Sequence, residues 1–477
     1  MTCINARMTV SLETFPHSGG KPKQAKVETM SRPSKDDPAD WPDAFVWGVS
    51  TSSYQIEGAA LEDGRGPSIW DTRCRQKGRI ANGDTGDVAC DHYHLYLDDV
   101  ALMKELGVAA YRFSLSWPRV LPLGRGAANE AGLAFYDRLI DALLAAGIEP
   151  WLCLYHWDLP QALDDLGGWT SRDSAGWFAD YAALAARRYG DRVKRFATFN
   201  EFSVFTLFGY AMDWGAPGIA DRDAHLKAIH HVNLAHGAGV DVVRALVPGA
   251  SIGGIHNRQR IIPEHDTPED KSAAALLDEH WNHAFPDAQL LACYPPMIAR
   301  AIEPYVQAGD MARICRPVDW FGLNHYGPIF AKADPGAIWG FAWGSAPADA
   351  PRSAIGWPIY PDLFRDELCD LTRRYRLPIY VTENGCGGKD KPDERGEIVD
   401  RHRIAYLEAY IGAMRAALGK GADVRGYFVW SLLDNFEWSS GYSDRFGLVY
   451  VDFATRKRTP KASARWYAEL IKRTPVR

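Results

Sequence analysis

Three glutamates stand at the ends of apolar runs: Glu201 in "TFNEF", Glu383 in "YVTENG" and Glu437 in "NFEW". Carboxylates are almost never buried without a partner or a purpose. Other runs carry Gln55, Arg112, His156, Asn200, Asn324, Tyr326 and Trp438 at or near their ends. Any one of these has an ordinary reading, since a Glu at a strand end is more often a salt-bridge partner. Several polar groups meeting at one place are harder to explain as structure, because each would need its own buried partner. Two carboxylates flanking a bond, with an amide beside them and tryptophans around them, suit glycoside hydrolysis. One must donate a proton and needs a raised pKa, while the other must stay ionised. The chain has 17 Trp, and core packing must account for most of them.

Metal-assisted hydrolysis is the rival chemistry. "DHYHLY" offers His92 and His94, and "IHHVN" offers His230 and His231. None ends a β-rich run and no H-E-x-x-H occurs, so these histidines read as structural and no metal or organic cofactor is implied.

Eight β-rich runs must position the candidates: 44–55, 109–117, 149–157, 195–201, 250–257, 319–326, 378–385 and 425–438. Helical patterns lie between them. In "LAFYDRLIDALLAAG", Leu133, Tyr136, Ile140, Leu143 and Leu144 fall on one face and Gly147 suits the C′ position. "FADYAALAARRYG" repeats the plan with Arg187, Arg188 and Gly190 at its end. Near-continuously apolar strands alternating with helices predict an α/β fold, a single (β/α)8 TIM barrel. In such a barrel, catalytic groups sit at the C-terminal ends of the strands. Long connections at about 258–318, 327–360 and 385–398 read as insertions at that face. Residues 39–477 therefore read as one domain, and 1–38 as a disordered extension with Met30 as a candidate start.

Bulk properties narrow the class. Net charge is −6, without a long basic run, so nucleic-acid or anionic-membrane binding has no electrostatic footing. The eight cysteines form no C-x-x-C pair and read as reduced thiols. No apolar run is long enough to span a bilayer and the first residues lack a signal-peptide core, so a cytoplasmic location is expected. Oligomeric state is not readable.

Five stretches, "SSYQIEGA", "YHWDLPQAL", "TFNEF", "YVTENG" and "GYFVWSLLDNFEWSSGYSDRFGLVYVDF", together resemble glycoside hydrolase family one, the retaining β-glucosidases and their relatives, over about residues 41–470. The resemblance implies Glu201 as general acid/base and Glu383 as the nucleophile that forms a covalent glycosyl-enzyme. Their carboxyls should then lie about 5–5.5 Å apart. It implies Asn200 on the sugar 2-hydroxyl; Asn324, at the end of the sixth run, is placed with the substrate-binding residues. Tyr326 and Arg112 would orient Glu383. Gln55, His156, Glu437 and Trp438 match sugar-hydroxyl binders, and Trp430 matches a stacking platform whose bland reading is barrel packing. Trp357 and Phe446 match positions around the entrance and glycone pocket. Members acting on 6-phosphorylated sugars lack a carboxylate at the position of Glu437, so a neutral glycone is expected, β-glucosyl with galactosyl or fucosyl open. The partner is a small β-glycoside or oligosaccharide. Transglycosylation on the same site and a catalytically silent sugar-binding barrel are the alternatives; both carboxylates argue against the second. A thioglycosidase would typically lack a Glu at the position of Glu201.

One departure stands out. The family usually has Pro after the acid/base, where this chain has Phe202. Proline would hold the preceding backbone extended and supply no N–H. Phe202 either shapes the aglycone side or is a neutral replacement.

Overall fold

The computed structural model describes residues 41–474; the expected extension over 1–38 lies outside the described residues. Eight parallel strands close into a barrel: β1 (Val46–Ser50), β2 (Ala110–Ser114), β3 (Glu149–Tyr155), β4 (Arg195–Asn200), β5 (Ser251–Asn257), β6 (Trp320–Asn324), β7 (Ile379–Asn384) and β8 (Val424–Trp430). Each pairs with its sequence neighbour, and β1 pairs with β8 to close the ring. Two of the expected runs are too long. The first strand ends at Ser50, and Gln55 lies in a short helix, Ser53–Ile56. The last ends at Trp430, so Glu437 and Trp438 sit in the following loop rather than at the strand's end.

Alternation along the strands separates two cores. Ala110, Trp151, Cys153, Ala197, Ile255, Trp320, Tyr380 and Phe428 form the barrel interior, with Val46 packed against them. The large rings need small neighbours. A Cβ on Gly253 would come within 2.4 Å of the Trp320 ring, and one on Gly48 within 2.4 Å of Phe428. Trp151 contacts Trp320, Tyr380 and Phe428 at centroid distances of 5.3, 4.8 and 5.0 Å. This aromatic filling leaves the C-terminal mouth for polar side chains. Two residues beyond Ala110, on the same face, is Arg112.

The outward faces pack on helices. Glu130–Ala145 follows β2, with Gly147 at φ 77° beyond its end, where the Ile148 N–H bonds back to Leu143 at 2.9 Å. Leu144, expected on the buried face, is 43% exposed. Ser174–Tyr189 follows β3 and Arg222–Leu246 follows β4. The insertions are not plain loops. Ile261–Pro263, Ile329–Ala333 and Phe341–Trp343 form a small three-stranded sheet. Seven described cysteines are free thiols.

A buried ion network ties the loops after β7 and β8 to the C-terminal helix, Ala462–Arg473. Lys461 contacts Asp390 at 2.7 Å and Asp434 at 2.6 Å. Arg403 holds Asp390 and Asp400, and Arg445 holds Asp434 at 2.7 Å. Removing one partner of such a group leaves charge uncompensated. Lys461→Met should therefore cost about 3–5 kcal/mol of stability, read from the urea midpoint.

Candidate active site

A cavity of about 1030 Å³ opens at the C-terminal mouth of the barrel. Ten of the thirteen residues singled out in the sequence line it: His156, Asn200, Glu201, Tyr326, Trp357, Glu383, Trp430, Glu437, Trp438 and Phe446. The other three lie behind the wall and bond to those that line it. Gln55 donates to Asn435 and Phe436 at 3.0 Å each and reaches Glu437 at 3.4 Å. Asn324 and Arg112 bond to the glutamates themselves.

The two inner carboxylates differ in every partner. Arg112 donates to Glu383 Oε1 at 2.5 Å and Tyr326 O–H donates to Oε2 at 2.7 Å. The same guanidinium donates to Asn200 Oδ1 at 2.6 Å. Among the described residues, Glu201 has no salt-bridge partner. Its Oε1 accepts from Asn324 at 2.8 Å and from Asn257 at 3.0 Å. Burial, and then the Glu383 charge, push the Glu201 carboxyl up to about 8, against the pull of the two amides and of Arg112. At neutral pH it carries a proton. Burial also raises Glu437 well above the usual carboxylate range, with Glu383 again adding to it. Burial and then Arg112 push His156 well down, so its ring is uncharged.

Local backbone aims these groups. β4 loses regular register between Ala197 and Asn200, and β7 does so between Val381 and Asn384. Such irregularities re-aim side chains beside active sites. Glu201 itself is left-handed, at φ 54° and ψ 62°, an uncommon state for a non-glycine residue. Gly385, after Glu383, has no room for a side chain, because a Cβ would meet Trp430 O at 1.8 Å.

The aromatic wall is partly as expected. Trp430 faces His156 with ring planes 19° apart, and packs with Tyr326 and Phe446. Trp357 is 44% exposed and meets Tyr326 and Phe446 edge-on or tilted. Trp214, Trp281 and Trp343 extend the wall outward. Trp281 and Trp343 lie in the insertions and Trp214 in the connection between β4 and the helix Arg222–Leu246, where no strand-end rule points to them. Asn257 was also not singled out, although it ends β5 and the same rule covers it.

Phe202 does not line the cavity. Its fully buried ring stacks on His256 at 4.9 Å and on Phe285 at 5.4 Å. An aglycone role therefore fails on position. Phe202 opens the short helix Phe202–Thr206, and a first helical residue needs no intrahelical N–H partner. The histidines weighed as ligands have other work: His92 bonds Asp99 at 2.7 Å, His94 bonds Asp91 at 2.6 Å, His230 bonds Asp310 at 2.8 Å, and His231 meets the Trp169 carbonyl. Among the described residues, no group of three or more His, Cys, Asp or Glu is placed to hold a metal ion.

The sequence model of the family described as Glycosyl hydrolase family 1 matches residues 37–475. Beta-glucosidase A of Thermotoga maritima is 43% identical over 437 residues, 91% of this chain and 98% of that one. Aryl-phospho-beta-D-glucosidase BglC of Bacillus subtilis is 38% identical over 469 residues, 91% of this chain and 98% of that one. The solved β-glucosidase of Thermotoga maritima in complex with glucoimidazole superposes with a TM-score of 0.86 at 42% identity, covering 91% of this chain and 99% of that one.

The carboxylate asymmetry can be measured directly. In protein carrying ¹³C-labelled glutamate, the Glu201 carboxyl, assigned by the loss of its signal in Glu201→Gln, should titrate at about 8. Glu383→Gln should lower that value, because it removes the neighbouring negative charge. An unchanged titration in the variant would contradict the coupling.

Proposed function

The chain belongs to glycosyl hydrolase family 1, and on that premise we propose that it is a retaining β-glucosidase acting through a covalent glycosyl-enzyme. The observation that carries this is the contrast between the two strand-end carboxylates. Glu383, bonded by Arg112 and Tyr326, is suited to attack the anomeric carbon. Glu201, protonated at neutral pH, is suited to give its proton to the leaving oxygen. Once the aglycone has left, Glu201 is the base that takes a proton from water. Two displacements restore the original anomeric configuration, which requires a carboxyl separation of about 5–5.5 Å.

Around that centre, Asn200 would bind the sugar 2-hydroxyl, and Gln55, His156, Glu437 and Trp438 the remaining hydroxyls. Trp430 would carry the apolar face of the ring. Glu437 favours a neutral glycone over a 6-phosphorylated one. The cations on this side are already engaged, Arg445 by Asp434 and Lys389 by Asp444. A phosphate there would meet the carboxyl of Glu437. Plain β-glucosides should therefore react in preference to their 6-phosphates, and the reverse order would overturn the glycone assignment.

Glu383→Gly should lose several orders of magnitude in kcat on aryl β-glucosides. Azide should restore turnover and give the α-glycosyl azide. Full activity in the variant would remove Glu383 as nucleophile.

A further inference from the structure

We propose that Asn257 is a positioning residue for Glu201: with Asn324 it holds Glu201 Oε1 as an acceptor, so that the transferable proton resides on Oε2. The inference rests on the acid/base reading of Glu201. A carboxyl oxygen that receives two N–H donors is best served as the carbonyl oxygen, and the proton then belongs on the other. Asn324 cannot set this alone. One of its N–H groups goes to Asn200 Oδ1 at 3.0 Å and the other to Glu201 Oε1, while its own oxygen accepts from the Thr382 hydroxyl at 2.8 Å. Asn257 supplies the second donor. Its Oδ1 is buried and has no hydrogen-bond partner among the described residues. An amide turned so that one end goes unsatisfied is being held by the contact at its other end.

The strands place Asn257 for this. It pairs in register with Asn324 across β5 and β6, and Asn324 pairs with Glu383 across β6 and β7. On the other side, the Glu201 N–H bonds the Ile255 carbonyl at 2.8 Å. The four strand ends thus form a row with the two amides between the two carboxylates. Residue 256 points to the opposite face, where the His256 ring stacks between Phe202 at 4.9 Å and Phe321 at 4.7 Å. Phe202 fits there because Gly254 is small; a Cβ on Gly254 would meet the ring at 3.1 Å. The stack fixes β5 against β4 and β6 just behind Asn257. Burial pushes His256 well down, so it adds no charge. The unusual Phe202 therefore supports the acid/base from behind.

The charged groups acting on Glu201 are Glu383 from β7 and Arg112 from β2; Glu437, from the loop after β8, is a further carboxyl that burial raises well above the usual range, and His156 and Tyr326 are neutral neighbours. Asn257→Leu changes none of them. It removes one hydrogen bond to the ionised form, so Glu201 should hold its proton to higher pH. The alkaline limb of kcat/KM should move up by roughly one pH unit. For phenyl β-glucoside, whose leaving group needs protonation, kcat/KM should fall about tenfold. For 2,4-dinitrophenyl β-glucoside, which needs none, it should change less than about twofold. Rates are referred to sites counted with a 2-deoxy-2-fluoro-glucosyl inactivator carrying a dinitrophenyl leaving group. Asn257→Ala, which also loses the donor and adds no charge, gives the same test if the Leu variant does not fold. Equal losses on both substrates, or an alkaline limb that stays or moves down, overturn the proposal. Glu201→Ala run beside them separates the premises: if it too fails to discriminate the two leaving groups, the acid/base reading is what falls.

Discussion

The buried Arg112–Glu383 ion pair sets the character of everything around it. Two carboxylates in one buried space cannot both ionise cheaply, because desolvation and mutual repulsion oppose the second charge. A single guanidinium decides which one bears the charge. It sits on Glu383, so Glu201 is the one pushed up to about 8. The same group bonds Asn200 and depresses His156, leaving a neutral ring beside the ionised glutamate. Neighbouring amides refine this division of labour, but the direction comes from where the arginine is. Arginine is suited to the task because its planar, always-charged fork reaches two acceptors at once.

Arg112 can stand there only because the barrel beneath it is full. Its strand alternates, and the inward position two residues earlier belongs to a layer of large rings with glycines cut to fit them. That layer keeps water from entering under the ion pair and keeps the local dielectric low, which strengthens the pair as well as the penalty on Glu201. The register irregularities at the ends of β4 and β7 then bring Glu201 and Glu383 inward. Packing and chemistry are thus one problem, with the plug supplying the environment and the bulges the aim.

Much of this was legible in the residue order. Eight apolar runs alternating with helices gave the barrel, and the strand-end rule found Glu201, Glu383, His156, Asn200 and Asn324. What escaped had specific reasons. The run 425–438 is apolar past its last ladder bond, so hydrophobicity alone overshot the end at Trp430. The run at 44–55 hid a helical turn for the same reason. Leu144 was placed on the buried face although it is exposed. In the three-stranded sheet of the insertions, Ile261–Pro263 pairs with the stretch from Ile329 to Ala331, far along the chain, and short segments so separated leave no periodic trace. Asn257 carries no charge, and nothing in its neighbourhood sets it apart until its contact with Glu201 is seen.

Phe202 shows why a departure from a family pattern is hard to interpret without coordinates. Adjacency to Glu201 suggested the substrate side, since neighbours in sequence are neighbours in space. The direction of the side chain reverses that. Glu201 turns left-handed and the chain enters a helix at Phe202, so consecutive side chains leave in opposite directions. One meets the cavity, and the other enters the packing between His256 and Phe285. A first helical position suits either proline or a residue whose N–H can go unpaired within the helix. What distinguishes the two is therefore the ring and the space made for it. Gly254 and His256 supply that space on the next strand, so the departure at residue 202 belongs to a set of three. The Glu201 carboxyl is held from in front by amides and from behind by rings.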